Sequence, residues 1–201
     1  LTYARFLIPE LIHEERVLYL DSDIIVNASL SNLFHVDMKE YPIAAIDDYN
    51  LSSENTPHWY ILNTPKELES CISYQGGENF KPYFNAGVIL WDLVKCREEN
   101  LTKKLFAIAL WYPDVLYGDQ DILNFVLFNR WLRIDVRYNV QAHYNFTFLP
   151  LVIESPYIIH YITDRKPWIK KYKTETIFHP YYHFYHGLSW QEIYMHCFSI
   201  Q

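Results

Sequence analysis

The chain has 201 residues, half of them hydrophobic and 18% aromatic, with a net charge of −7. That length supports one domain with a sizeable core, and the apolar content excludes a disordered chain. No basic face of the kind nucleic acid needs is visible, no apolar run approaches the roughly 20 residues that span a bilayer, and no leader pattern opens the sequence.

In chain order, residues 2–13 predict a helix whose regularity is limited by Pro9. Residues 16–20 and 24–26 form a β-branched run typical of a buried strand. "SLSNLFHVD" is a short helix or turn, and residues 42–47 are a second apolar strand. Residues 49–80 are polar, carry Pro57 and Pro65, and predict a long excursion with a helix or two. Residues 83–93 return to strand character, with Asn85 and Gly87 as breaks inside it. Residues 97–113 have helical periodicity, and 119–129 predict a helix opened by aspartates that favour its dipole. "WLRID", "YNVQ" and residues 157–162 are short strands. The aromatic-rich stretch 174–201 predicts one or two helices.

Strands alternating with helices predict an α/β sandwich. Chemistry in such folds gathers at the carboxyl ends of strands, and Asp21, Asp23, Asp47, Asn85 and His160 all fall at or near strand ends.

The informative stretch is Leu20-Asp21-Ser22-Asp23. Two carboxylates in an apolar strand are costly unless something pairs with them. Side chains two apart share one face of an extended segment, and a divalent cation between them would relieve their repulsion. Oxygen ligands suit Mg2+ or Mn2+, and an added imidazole favours Mn2+. The bland alternative for a lone Asp-x-Asp is a surface loop or cap. His160 by itself reads as a core histidine. It gains meaning from "HYITDRKPW", which places Lys166 and Trp168 nearby, because a cation with a lysine makes a cradle for a diphosphate leaving group. The basic run 164–173 reads either as solvated surface or as an anion contact.

"GDQDILN" offers Asp119, Gln120 and Asp121, either as a helix cap with acidic first-turn residues or as groups facing a sugar. "NAG" at 85–87 is either a strand bulge or a backbone that a ligand approaches closely. The three cysteines, Cys71, Cys96 and Cys197, have no metal-ligand spacing and read as ordinary reduced thiols of a cytosolic protein. The sequons at Asn27, Asn50, Asn100 and Asn145 read as incidental.

"YARFLIPELI", "VLYLDSDIIV", "AAIDD", "YFNAGVILWDL", "GDQDILN" and "HYITDRKPW" occur in the order seen in glycosyltransferase family 8. From residue 2 to about 170 the chain resembles the lipopolysaccharide-type galactosyl- and glucosyltransferases of that family, and more distantly glycogenin. The resemblance implies a GT-A fold, Rossmann-like, with a mixed central sheet flanked by helices. It implies a UDP-glucose or UDP-galactose donor, Mn2+ (or Mg2+), and retention of anomeric configuration. By motif, Asp21, Asp23 and His160 match the metal ligands. Lys166 matches the diphosphate-contacting lysine. Arg5, Ser22, Asp47, Asn85 and Ala86 fall at donor-binding positions, and Gln120 and Asp121 match the catalytic pair beside the anomeric carbon.

The family begins with a βαβ unit that holds uracil and ribose, and nothing here matches it. By motif order Leu1 falls after that unit. The expectation is therefore an N-terminally incomplete catalytic domain over 1–173 and an aromatic-rich helical extension over 174–201. The implied partners are a UDP-hexose and a sugar-bearing acceptor on a glycan, lipid or protein, with no nucleic acid. Cytoplasmic location is expected, with the inner face of the membrane, and peripheral association with it, as an option. Two other classes compete with this reading. A non-catalytic carbohydrate-binding or scaffold module would keep the aromatic residues, but it would not need Asp21, Asp23, His160 and Lys166 together. A two-carboxylate glycoside hydrolase would have no use for a diphosphate cradle.

Overall fold

The computed structural model describes residues 2–48, 83–142, 155–162, 164, 166–169, 178–189, 191–193 and 195. The expected excursion at 49–80, Cys71 and Cys197, the sequons at Asn50 and Asn145, and much of the predicted C-terminal helices lie outside them. Two compact units emerge, residues 1–19 with 37–134, and residues 20–36 with 135–201.

In the first unit a 3-10 helix, Thr2–Leu7, runs into the short helix α1 (Ile8–Leu11), with Pro9 in the first turn of α1. The proline lacks an N–H and its ring crowds the carbonyl four residues back. The expected helix is therefore a tight 3-10 turn up to Leu7 and α-helical only over the single turn that carries the proline. The Arg97 guanidinium donates to the carbonyls of Pro9 and Ile12, satisfying the end of α1.

The run at 16–26 is two strands, β1 (Arg16–Leu20) and β2 (Ile24–Val26), in different sheets and mostly half-buried rather than one buried strand. A turn at Ser22 and Asp23 separates them. The sheet of the first unit has the order β1-β4-β3-β5, with β3 at Ile43–Asp47, β4 at Phe84–Asp92 and β5 at Leu132–Arg133. Strand β3 runs antiparallel to β4 and parallel to β5.

Asn85 and Gly87 do not break β4. The register places Ala44 opposite Leu90 and Ile46 opposite Asn85, so two steps along β3 face five along β4. The surplus is absorbed as a bulge, and the Asn85 side chain accepts from the Gly87 N–H inside it. Asn85 lies at the amino end of β4. The antiparallel pairing is what sets it beside the carboxyl end of β3.

The helix expected over 97–113 is two, α3 (Leu93–Glu98) and α4 (Leu101–Trp111). Asp92 caps α3 through the Lys95 N–H. Asn100 then takes a left-handed conformation, φ 53°, which Asn tolerates better than most residues and which ends the first helix. Helix α5 spans Asp119–Val126. Phe6, Phe84, Trp91, Leu105, Ile122 and Trp131 lie in the core of this unit.

The second unit holds α2 (Ser31–Phe34) and a three-stranded sheet of order β2-β7-β6, with β6 at Val140–Gln141 and β7 at Ile158–His160. Strand β7 pairs antiparallel with β2 and parallel with β6. A 3-10 turn, Val136–Asn139, feeds β6. Helix α6 spans His179–Gly187. Val140, Ile159, Tyr161 and Phe178 form the core here. Both sheets are mixed, and the architecture is α/β as the sequence predicts. No helix among the described residues is long and apolar enough to cross a membrane.

Candidate functional site

The second unit gathers Asp21, Asp23 and His160. The register sets His160 opposite Ile24, one residue past the Asp-Ser-Asp turn. The Tyr161 N–H donates to the Asp23 carbonyl, extending that pairing into the turn. The two carboxylates therefore do not share a face of an extended strand, as sequence alone suggested. They converge because the chain turns there. His160 Nε2 lies 3.2 Å from Asp23 Oδ1 and 3.8 Å from Asp21 Oδ2. One ligand atom from each of the three residues lies within 4.8 Å of the others.

His160 is buried and its Nδ1 faces Asn139 Oδ1 at 3.0 Å. A carbonyl oxygen only accepts, so Nδ1 carries a hydrogen toward Asn139 and Nε2 is the ring nitrogen that faces the carboxylates. Two oxygens and an oriented imidazole nitrogen fit a divalent cation of the Mn2+ or Mg2+ type. Lys166 Nζ is 2.5 Å from Asp23 Oδ2 and also donates to the Tyr161 carbonyl. Burial alone would raise the Asp23 carboxyl. Hydrogen bonds and charge from His160 and Lys166 outweigh it and hold the group well below the usual carboxylate range.

The first unit gathers a second polar cluster around α5. Asn124 donates to the Phe84 carbonyl at 2.8 Å and accepts from the Phe84 N–H at 2.7 Å, which docks α5 on β4. Gln120 lies one turn earlier on the same face. There its Oε1 accepts from the Ala86 N–H and its Nε2 donates to Asp48. Asn85 Nδ2 donates to the same Asp48 oxygen at 3.0 Å.

Asp121 is buried with both oxygens engaged, by the Tyr83 hydroxyl at 2.6 Å and the Tyr117 N–H at 2.8 Å. Asp119 pairs with Arg5 at 2.6 Å. Arg5 also donates to the Ala86 carbonyl and lies over the Tyr19 ring. The cap position of α5 is Gly118, with no side-chain cap bond, so the aspartates are internal partners rather than caps.

Asp47 is not in this cluster. Neighbouring strand residues point to opposite faces, and its carboxylate meets half-exposed Arg133 instead. Sequence reasoning singled out Asp47 and passed over Asp48, Tyr83, Asn124 and Asn139. The first three sit inside the family motifs, and burial is what distinguishes them. For Asn139 the sequence carried no signal.

A family model described as glycosyl transferase family 8 matches residues 1–171. The glycosyltransferase GlyA of Streptococcus pneumoniae serotype 4 is 33% identical over 195 residues, covering 95% of this chain and 24% of that protein. The lipopolysaccharide 1,3-galactosyltransferase of Salmonella typhimurium is 31% identical over 177 residues, covering 83% of this chain and 49% of that protein. The chain thus spans less than half the length of each. Among solved structures, the glycosyltransferase GlyE of Streptococcus pneumoniae superposes with a TM-score of 0.70 at 30% identity, over 99% of this chain and 46% of that one. The fold is GT-A.

Proposed function

The chain belongs to glycosyl transferase family 8, and from that premise we propose a metal-dependent, retaining hexosyltransferase. It moves glucose or galactose from a UDP-sugar to a sugar-bearing acceptor on a glycan, lipid or protein. The observation that carries the reading is the convergence of Asp21, Asp23 and His160, with Lys166 on one of the same carboxylates. Mn2+ (or Mg2+) held by those three residues would supply Lewis acidity as the bond to the diphosphate breaks.

Around it the chain's own groups take stated parts. Asn139 keeps the His160 ring in place. Lys166 contacts the diphosphate. Arg5, Ser22, Asp47, Asn85 and Ala86 are the donor-binding positions. Asp48, which Asn85 and Gln120 both contact, is added to them. Gln120 and Asp121 act beside the anomeric carbon. Residues 1–173 form the catalytic part and 174–201 an extension, in a protein placed in the cytoplasm or at the inner face of its membrane.

Retention by double displacement needs a nucleophile behind the anomeric carbon. Gln120 is an amide, and both Asp121 oxygens already accept hydrogen bonds. That favours front-face substitution, in which the acceptor oxygen bonds the anomeric carbon while the departing phosphate oxygen takes the acceptor proton. The test is incubation with UDP-glucose and with UDP-galactose and an acceptor glycan, followed by proton NMR of the product's anomeric hydrogen. An α-linked product supports the reading. A β-linked product, or none from either donor, contradicts it.

A further inference from the structure

Beside the Asp23 turn the second unit has a cleft of about 250 Å³, lined mostly by residues to which the donor chemistry assigns no part. One wall is aromatic, Trp168 with Tyr161 from the segment after β7 and Tyr182 with His186 from α6. The other includes Ser22 and Asp23.

Trp168 is 47% exposed, yet its ring is held. Buried Tyr161 meets it edge-on at 6.4 Å, and Tyr182 lies 5.7 Å away at 53°. Tyr182 and His186, one helical turn apart on the same face, meet at 5.3 Å with their rings tilted by 36°. A large apolar ring that is positioned by its neighbours and about half exposed, with the Lys166 ammonium 5.9 Å from its centroid, is a binding platform rather than a core residue.

We infer that this cleft is a hexose-stacking subsite for the acceptor sugar. This rests on the transferase reading above. The occupant follows from the walls. A hexopyranose has one C–H face for an aromatic ring and a rim of hydroxyls for Ser22, Asp23 and His186. A purely apolar chain would cover the Ser22 hydroxyl without a polar group to offer it. The volume is below the roughly 300–1,000 Å³ of drug-sized sites, which suits a single sugar ring. Asp23 belongs both to this wall and to the carboxylate–histidine cluster, so a sugar seated here lies against a residue that borders the reaction.

The experiment is ligand-observed saturation-transfer NMR on the protein without added metal, using methyl glucosides and methyl galactosides. Transfer to ring C–H hydrogens is expected for the wild type. It is lost in Trp168→Leu and Tyr182→Leu, which keep an apolar side chain without a ring, and retained in Trp168→Tyr, which keeps a ring. No transfer in the wild type, transfer indifferent to all three substitutions, or displacement of the glycoside by UDP alone would each overturn the subsite. UDP-hexose turnover is followed in parallel. Binding without turnover contradicts the transferase reading alone, and turnover without binding contradicts the subsite alone.

Discussion

Asn139 Oδ1 sits 3.0 Å from His160 Nδ1, deep in the second unit where both side chains are buried. That contact leaves one ring nitrogen for the carboxylates. Partners of this kind behind a metal-binding histidine are worth about 10–100-fold in metal affinity. Asn139→Leu is expected to weaken Mn2+ binding by about that factor in isothermal titration, while a histidine-independent property such as the far-UV spectrum is retained. Unaltered affinity would mean that the asparagine does not orient the ring.

Arg5 and Asp119 are a buried pair, each about 9% exposed. Removing one partner strands the other, at a cost of about 3–5 kcal/mol. Arg5→Ala is expected to lower the unfolding free energy from urea denaturation by that amount. Arg5→Lys should recover only part, because one ammonium cannot serve Asp119, the Ala86 carbonyl and the Tyr19 ring together. Full recovery by lysine would show that charge alone matters there.

How much of this the sequence disclosed depends on the residue. The pairing of Asp21 with Asp23 was legible because carboxylates beside apolar strands are costly, whatever the fold, whereas His160 joined them only through the motif order shared with the family. The polar cluster of the first unit was legible only in part. "AAIDD" presents two adjacent aspartates, and which one turns inward depends on strand register, a long-range property. The split of 97–113 into two helices was hidden for a different reason. Asn100 in the left-handed region looks like any polar helix residue until the backbone is seen. The bulge at 85–89 was half legible, since Asn85 and Gly87 marked an irregularity without saying that the strand runs through it.

Asp121 has no oxygen without a donor, since Tyr83 and Tyr117 supply both. It is therefore expected to position α5 rather than to attack the sugar. Asp121→Asn should leave measurable turnover and lower the melting temperature. Tyr83→Phe, which strips a buried acceptor of its donor, should cost about 1–3 kcal/mol by thermal unfolding. Complete loss of turnover in Asp121→Asn at unchanged stability would restore the nucleophile.

The Cys96 thiol is fully buried and donates to the Pro42 carbonyl. Burial, then the charges of Asp92 and Glu99, push its pKa up. A group whose folded pKa is raised binds more protons in the folded chain than in the unfolded one. Its contribution to stability is therefore whole below the unfolded value of about 8.5 and declines as pH rises above it. Native Cys96 should resist iodoacetamide, as read by peptide mapping, and Cys96→Ala should flatten the alkaline fall in the denaturation midpoint. Rapid alkylation of the native thiol would contradict its burial.

The account stands on Asp21, Asp23 and His160 holding a divalent cation for sugar transfer. The most direct measurement is UDP release from UDP-glucose or UDP-galactose by the metal-stripped protein, titrated with Mn2+, for the wild type and Asp23→Asn. The account predicts turnover that is absent after chelation, restored by Mn2+ in the wild type, and not restored in the variant. Turnover that survives chelation, or an Asp23→Asn protein that matches the wild type, would contradict it.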